Sequence, residues 1–335
     1  MVRIAVDVMG GDHAPDAILQ GCGEALGRSP ALALLLVGPE AELRDRATQA
    51  GLDLTRVEFL NAQEVIGNSE HPVTAVRRKK DSSIVRAMNA VVAGQAQGFV
   101  SAGSTGAVLA GATFIIKRIP GISRPALAPV LPTQAGGGAL LIDCGANVDC
   151  KPEYLQQFAL MGEAYMSRVM GVAQPRSGII NNGAEDEKGN DLVKKSSALI
   201  RQDPRIHFVG SVEARDVLSG QAEVLVCDGF VGNMVLKSIE GTAKFMMKEL
   251  KGVLYKSLPN KLAALTLKKD MLSFKQKLDY KEYGGAPLLG VTAPVVKAHG
   301  SSNGHAFAQA LLQCQQMVEG NLVQEIEKGL QPQGE

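Results

Sequence analysis

The chain has no tryptophan, only 4% aromatic residues, and five cysteines in 335 positions. Cys22, Cys144, Cys150, Cys227 and Cys314 form an odd set without a CxxC pair, which argues against a disulfide framework and against a zinc knuckle. Neither GxGxxG after a first strand nor GxxxxGK[ST] occurs, so the two common nucleotide fingerprints are missing. No His and carboxylate spacing looks like a ligand set, and no metal or cofactor is expected. The most apolar run, Ala102 to Ile116, is interrupted by Gly103, Ser104, Gly106 and Gly111 and is too short to span a bilayer. Residues 1 to 8, MVRIAVDV, run straight into a buried-strand pattern with no signal-peptide form, so a reducing cytoplasm is the expected compartment.

What is present is a chain that is 45% hydrophobic with 37 glycines. Its core must be built from Ala, Val, Leu and Ile packed between layers joined by tight turns. Short β-branched or Leu-rich runs alternate with helical periodicity, the sequence form of βαβ units. Strands are predicted at Arg3 to Asp7, Leu32 to Val37, Val57 to Leu60, Gly98 to Ser101, Ala139 to Asp143, Gly178 to Asn181, Ile206 to Gly210, Glu223 to Cys227 and Val295 to Ala298. Helices are predicted at Asp16 to Leu26, Glu40 to Ala50, Ser82 to Ala93, Thr105 to Lys117, Glu153 to Met170, Leu192 to Gln202, Met234 to Val253 and Asn303 to Glu327. The expected fold class is α/β: three layers, α/β/α, around a largely parallel sheet, in one catalytic domain covering residues 1–335.

Six strands exit into a polar residue and at least one glycine: MGGDHAP, SAGSTGA, DCGAN, NNGAEDEKGN, DGFVGN and HGSSNGH. Ligands of open α/β sheets bind beyond strand C-termini, and N–H groups in glycine-rich turns suit an anion. Each loop alone also reads as ordinary helix capping and turn chemistry. SAGSTGA, with Ser101, Gly103, Ser104, Thr105 and Gly106, is the nearest thing to a phosphate cradle. GGDHAP brings Asp12 and His13 up to Pro15, a helix start, where a neutral His could take a proton. NNGAEDEKGN sets Lys188 among carboxylates, either a solvated cluster or a cation held by Glu185 to face substrate oxygens, with Asn182 beside it. In DGFVGN, Asp228 leaves a strand and Asn233 could donate an amide N–H to an oxyanion. DCGAN supplies Asp143 and Asn147, and HGSSN supplies His299 as a weaker candidate. RRKKDSS, Arg77 to Ser83, suits either a solvated face or phosphate. His71, His207 and His305 read as structural.

The net charge of +1 hides an asymmetry: residues 244 to 281 hold ten lysines against three acids, about +7, leaving about −6 elsewhere. A nucleic-acid binder is therefore not expected. Interleaved leucines make the segment a basic amphipathic helical arm, with Pro259 and Asp270 suggesting breaks and hence a helical hairpin. Lys256, Lys261, Lys268, Lys269, Lys275 and Lys277 could dock an acidic partner, touch anionic lipid, or face solvent at a dimer interface.

DVMGGDHAP, RRKKDSS, SAGSTGA, LIDCGAN, NNGAEDEKGN, DGFVGN and KAHGSSN, in this order over nearly the whole chain, resemble the bacterial phosphate acyltransferases of phospholipid synthesis. The resemblance implies a fold like isocitrate and isopropylmalate dehydrogenases and phosphotransacetylase, a homodimer, and acyl transfer from acylated acyl carrier protein to inorganic phosphate. It further implies functional positions at His13, Lys188 and Asn233. Phosphate is then the nucleophile, so Cys144 and Cys227 need be no more than small buried residues. On this reading the Ser104 and Thr105 loop holds phosphate, Lys188 and Asn233 polarise the thioester oxygen, and His13 orients or deprotonates phosphate. The rivals are a nicotinamide-dependent decarboxylating dehydrogenase of the same fold and a peripheral membrane scaffold working through the basic arm.

Overall fold

Alternation inside the apolar runs decides the layering, because successive strand residues face opposite sides. The computed structural model describes residues 1–185, 187–271, 274 and 283–331. Among these, β1 (Val2–Asp7), β2 (Leu32–Gly38), β3 (Val57–Asn61), β4 (Gly98–Ser101), β5 (Ala126–Leu127), β11 (Ala286–Leu289) and β12 (Val295–Lys297) form a seven-stranded sheet in the order β3-β2-β1-β4-β12-β11-β5. A second, five-stranded sheet runs β6-β7-β10-β8-β9, from β6 (Val130–Pro132), β7 (Gly138–Ile142), β8 (Ser177–Asn181), β9 (Phe208–Glu213) and β10 (Val224–Val226). All nine predicted strands form, and they divide between two sheets. Within each sheet the predicted strands pair parallel, while β11 runs antiparallel to β12 and β5, and β6 to β7.

In the larger sheet, Ile4 and Val6 face α1 (Asp16–Arg28) and α10 (Gly304–Glu319), joining Ile18, Leu19, Phe307 and Leu311 in one apolar cluster. Ala5 and Phe99 face the other way, onto Ile84 and Met88 of α4 (Ser83–Val92). In the smaller sheet, Leu140, Ile142 and Val224 pack on Phe158, Met161 and Tyr165 of α6 (Pro152–Arg168). Leu141 and Leu225 face Val235 and Ile239 of α8 (Gly229–Leu254). Each sheet is thus covered on both faces, the three-layer form expected. The Gln313 side chain donates to the Tyr165 hydroxyl at 2.7 Å and ties α10 to α6.

Three strands escape the periodicity. β5 and β6 flank Pro129 and sit at edges of their respective sheets, so residues 126–132 carry the chain from one sheet to the other. Proline is tolerated there because an edge strand leaves N–H positions unpaired. The long helix predicted over Asn303 to Glu327 breaks at Asn321, whose φ of 49° places it in the left-handed region, and resumes as α11 (Leu322–Leu330).

As far as it is described, the basic arm consists of two consecutive helices. α8 spans 26 residues, of which only Gly229 and Gly232 are buried, and α9 (Leu258–Thr266) starts with Pro259 in its first turn. Phe245, Leu258, Leu262 and Leu265 are each more than 60% exposed, so the arm carries an uncovered apolar stripe beside Lys256, Lys261, Lys268 and Lys269. Lys275 and Lys277 lie outside the described residues. No described helix is long and apolar enough to cross a membrane.

One buried acid gives this frame a pH dependence. Burial pushes the Glu163 carboxyl of α6 up to about 7, although the Ser177 hydroxyl and the His207 N–H donate to it at 2.7 and 2.9 Å. Its folded value lies above its ordinary 4.5, so the folded chain binds the extra proton between these limits. Stability is therefore expected to fall as pH rises from about 4.5 to 7 and to stay lower above it. Glu163→Gln keeps an acceptor, should flatten that slope, and should stabilise the chain at pH 8 by about 1 kcal/mol after discounting for partial solvent exposure. Urea midpoints of both proteins at pH 5 and pH 8 check it.

Candidate active site

The ends of three neighbouring parallel strands carry one polar row. Asp7 pairs in register with Ser101, and Ser101 with Lys297, across β1, β4 and β12. All three are at least 93% buried. The Ser101 hydroxyl donates to Asp7 Oδ2 at 2.6 Å and accepts from the Gly103 N–H at 2.9 Å. Lys297 Nζ donates to the carbonyls of Ala102, at 3.3 Å, and Ala298. Burial holds the Lys297 ammonium down at about 8, opposed by the charges of Asp7 and Asp12; burial likewise raises the Asp7 carboxyl, opposed by hydrogen bonds including that from Ser101.

The SAGSTGA loop that follows β4 is mostly spent on its own fold. Ser104 caps α5 (Thr105–Gly111), accepting the Ala107 N–H at 3.4 Å. Gly106 lies against Pro72, where a Cβ would meet the ring at 2.5 Å, and the Gly103 N–H is held by Ser101. Thr105 alone of this loop opens onto the cleft between the sheets.

The facing wall comes from the second sheet. Asp143, fully buried after β7, accepts from the N–H groups of Leu127, Ala146 and Asn147 and from the Asn147 amide, which also donates to the Pro125 carbonyl at 2.8 Å. Asp228 caps α8 by accepting the Val231 N–H at 2.8 Å. These acids build the turn against which α8 rests, and they deliver Asn233 to the cleft.

The resulting cavity, about 230 Å³, is lined by Thr105, Lys297, His299 and Ser302 from the first sheet's side and by Cys144, Asn233, Lys237 and Glu240 from the second. Lys237 and Glu240 neutralise each other at 2.9 Å. Burial raises the Cys144 thiol well above its ordinary value, so it stays protonated and is no nucleophile at neutral pH. A small apolar recess of about 20 Å³, lined by Val108, Leu109, Ala146 and Leu288, shares Thr105, Leu127 and Lys297 with it.

The structure brings together Thr105, Asn233 and His299 of the residues singled out above. Asp12 sits at the rim, its N–H donating to the Gly300 carbonyl at 2.8 Å, and holds exposed His13 just outside. His299 Nδ1 accepts from the Ser301 N–H at 3.1 Å, fixing the HGSSN turn. Lys188, Glu185 and Asn182 are exposed in the loop beyond β8 and do not line the cavity. Their loop closes over Gly183, where a Cβ would lie 2.7 Å from Glu185 Oε2 and 2.8 Å from Lys188 Cγ. Lys79 of the RRKKDSS run is paired with Glu70 at 2.8 Å. Ser101, expected in the phosphate cradle, instead bonds Asp7 beneath it, and Asp7 and Lys297 join the site although no sequence motif singles them out; a lysine closing the apolar run VVK is the signal.

A profile of the fatty acid synthesis protein family matches residues 2–325. The chain is 48% identical over 322 residues to the phosphate acyltransferase of Clostridium perfringens, covering 96% of this chain and 95% of that one. It is 47% identical over 329 residues to the phosphate acyltransferase of Anoxybacillus flavithermus, covering 98% of each. Among solved structures, a phosphotransacetylase from Streptococcus pyogenes aligns with a TM-score of 0.63 at 17% identity, over 95% of this chain and 94% of that one. A branched-chain phosphotransacylase from Enterococcus faecalis aligns with a TM-score of 0.60 at 16% identity, over 95% and 99%. At such identity these structures speak for the fold, which is the phosphotransacetylase fold implied by the motifs. The length and continuity of the sequence matches go further, and by them the chain belongs to the fatty acid synthesis protein family, among its bacterial phosphate acyltransferases, and is an acyltransferase enzyme.

Proposed function

We propose that the chain transfers a fatty acyl group from acyl-acyl carrier protein to inorganic phosphate, at the cavity between the two sheets. The observation that carries this reading is that one cleft joins an amide, Asn233, to a hydroxyl, Thr105, and a buried cation, Lys297, without a thiolate or a nucleotide fingerprint. A phosphate oxygen attacks the thioester carbonyl, the C–S bond breaks, and the thiolate takes the proton that phosphate gives up. No covalent enzyme intermediate is needed. Holding the two substrates in line contributes several kcal/mol of barrier reduction, and an oxyanion donor such as the Asn233 amide about 3 kcal/mol more. His13 at the rim orients the phosphate proton, and Lys188 in the loop beyond β8 adds positive charge on the thioester side.

The carrier docks on the arm. Its acidic surface meets Lys256, Lys261, Lys268 and Lys269, while the apolar stripe of the same arm serves a second copy of the chain or an anionic membrane surface. The test is release of free thiol from acyl carrier protein thioester with and without phosphate. Phosphate-dependent release with acyl phosphate as product is expected; release that ignores phosphate ends the reading. Changing Lys261, Lys268 and Lys269 to Glu should raise KM for the carrier thioester about tenfold or more and leave KM for phosphate unchanged.

A further inference from the structure

We propose that Lys297 is the residue that binds the phosphate anion, and that Asp7 acts through it as a positioning residue. This rests on the acyl transfer to phosphate proposed above, and it puts the anion on the floor of the cavity, below Thr105, not in the glycine loop.

Lys297 is the only lysine or arginine buried among the described residues, at 7% exposure. Its ammonium has three donors. Two of them go to the Ala102 and Ala298 carbonyls, and the side chain lines both the main cavity and its apolar recess. No carboxylate of the described residues comes within ion-pair distance of Nζ. Across the cavity, Lys237 is already paired with Glu240. A buried ammonium left without a counter-ion is costly, and a dianion entering the cavity supplies one. Of the neighbouring loop, the Gly103 N–H is held by Ser101, the Ser104 hydroxyl accepts from the Ala107 N–H, and Gly106 lies against Pro72, and Thr105 is the residue of SAGSTGA that lines the cavity.

The charged and titratable groups that face Lys297 are Asp7 and Asp12 from the first strand and its exit loop, His299 from its own loop, and Cys144 with the Lys237–Glu240 pair from the opposite wall. Asp7 stands two strands away in the same register and, with Asp12, favours the protonated ammonium against its burial. With the ordinary lysine value lowered to about 8, the free protein gives up this charge as pH rises through that point, and anion affinity goes with it.

Sulfate keeps its charge over this range and is the probe. Its dissociation constant, measured by calorimetry on the whole chain without turnover, should be flat below about pH 7 and rise about tenfold per pH unit above about 8. Asp7→Asn should move that break to lower pH. Lys297→Met should abolish sulfate binding and raise KM for phosphate about 30-fold or more, leaving KM for the acyl thioester within about threefold. A sulfate affinity that stays level to pH 9.5, or a folded Lys297→Met with wild-type KM for phosphate, overturns the assignment. If Lys297→Met does not fold, the wild-type sulfate profile decides alone. Wild-type protein that binds sulfate with this profile but makes no acyl phosphate would instead sink the acyl transfer reading and leave the anion site standing.

Discussion

Gly232→Ala is expected to lower Tm by roughly 4 °C and to reduce turnover about 100-fold, although it adds a single methyl group. A Cβ at Gly232 would stand 1.9 Å from the Asp143 carbonyl oxygen and 3.0 Å from Cys227 Sγ. One helical turn earlier, a Cβ at Gly229 would stand 2.7 Å from the Asn147 carbonyl oxygen. The two glycines of DGFVGN, three apart, therefore make a bare stripe on α8 that rests directly on the DCGAN turn. That turn cannot give way cheaply, because Asp143 gathers four donors from Leu127, Ala146 and Asn147. Overpacking against backbone of this kind costs about 3 kcal/mol. The helix has to lift, and Asn233, the next residue, lifts with it. Gly241 is the control: on the same helix, its Cβ would meet nothing within 4 Å, so Gly241→Ala should leave activity unchanged and stabilise by up to about 1 kcal/mol through helix propensity. Calorimetric Tm and steady-state turnover of the two variants decide it, and equal behaviour of the pair would refute the contact argument.

The same contact shows where sequence reasoning reaches and where it stops. Strands such as LALLLVG declare themselves because burial on both faces makes the run continuously apolar, and helices such as SIVRAMNAVV because a buried stripe imposes a helical period. β5, β6 and β11 are two to four residues long and contain or flank proline, too short for any period to register. The division into two sheets was also hidden, since strand pairing is not written in periodicity; it follows from β5 and β6 ending at two different edges. In the candidate site, glycine-rich exits border the cavity, but the sequence does not tell a residue that builds a turn from one that lines the cavity. Ser104, Asp143 and Asp228 proved to be caps and turn anchors, and Thr105, Asn233 and His299 cavity walls. Lys297 is not legible in the sequence, because a lysine ending an apolar strand reads locally as the start of a solvent loop. Only the register of β1, β4 and β12 lines it up with Ser101 and Asp7 beneath the cleft.

Asn233→Ala should lower kcat by about 100- to 1,000-fold while KM for phosphate changes less than about threefold. The side chain lies in the cavity wall on the second turn of α8, beside Gly145, where a Cβ would stand 3.8 Å from Asn233 Cβ and 3.9 Å from its Cγ. An amide held there has no charge to attract phosphate in the ground state, so in the proposed reaction its removal should register in the transition state alone, where negative charge would grow on the thioester oxygen. Lys297 differs in kind: its full charge is present before the reaction begins, so its loss should register in KM. Lys188 supplies the contrast that makes the assignment sharp. It is exposed in the loop beyond β8 and does not line the cavity, so Lys188→Ala should cost kcat less than Asn233→Ala unless that loop folds inward over bound acyl carrier protein. Single-turnover rates with carrier thioester and with a small-molecule thioester separate the cases. A Lys188 effect that vanishes with the small thioester ties the loop to carrier docking, and an Asn233 effect that persists with both keeps the amide at the reacting carbonyl.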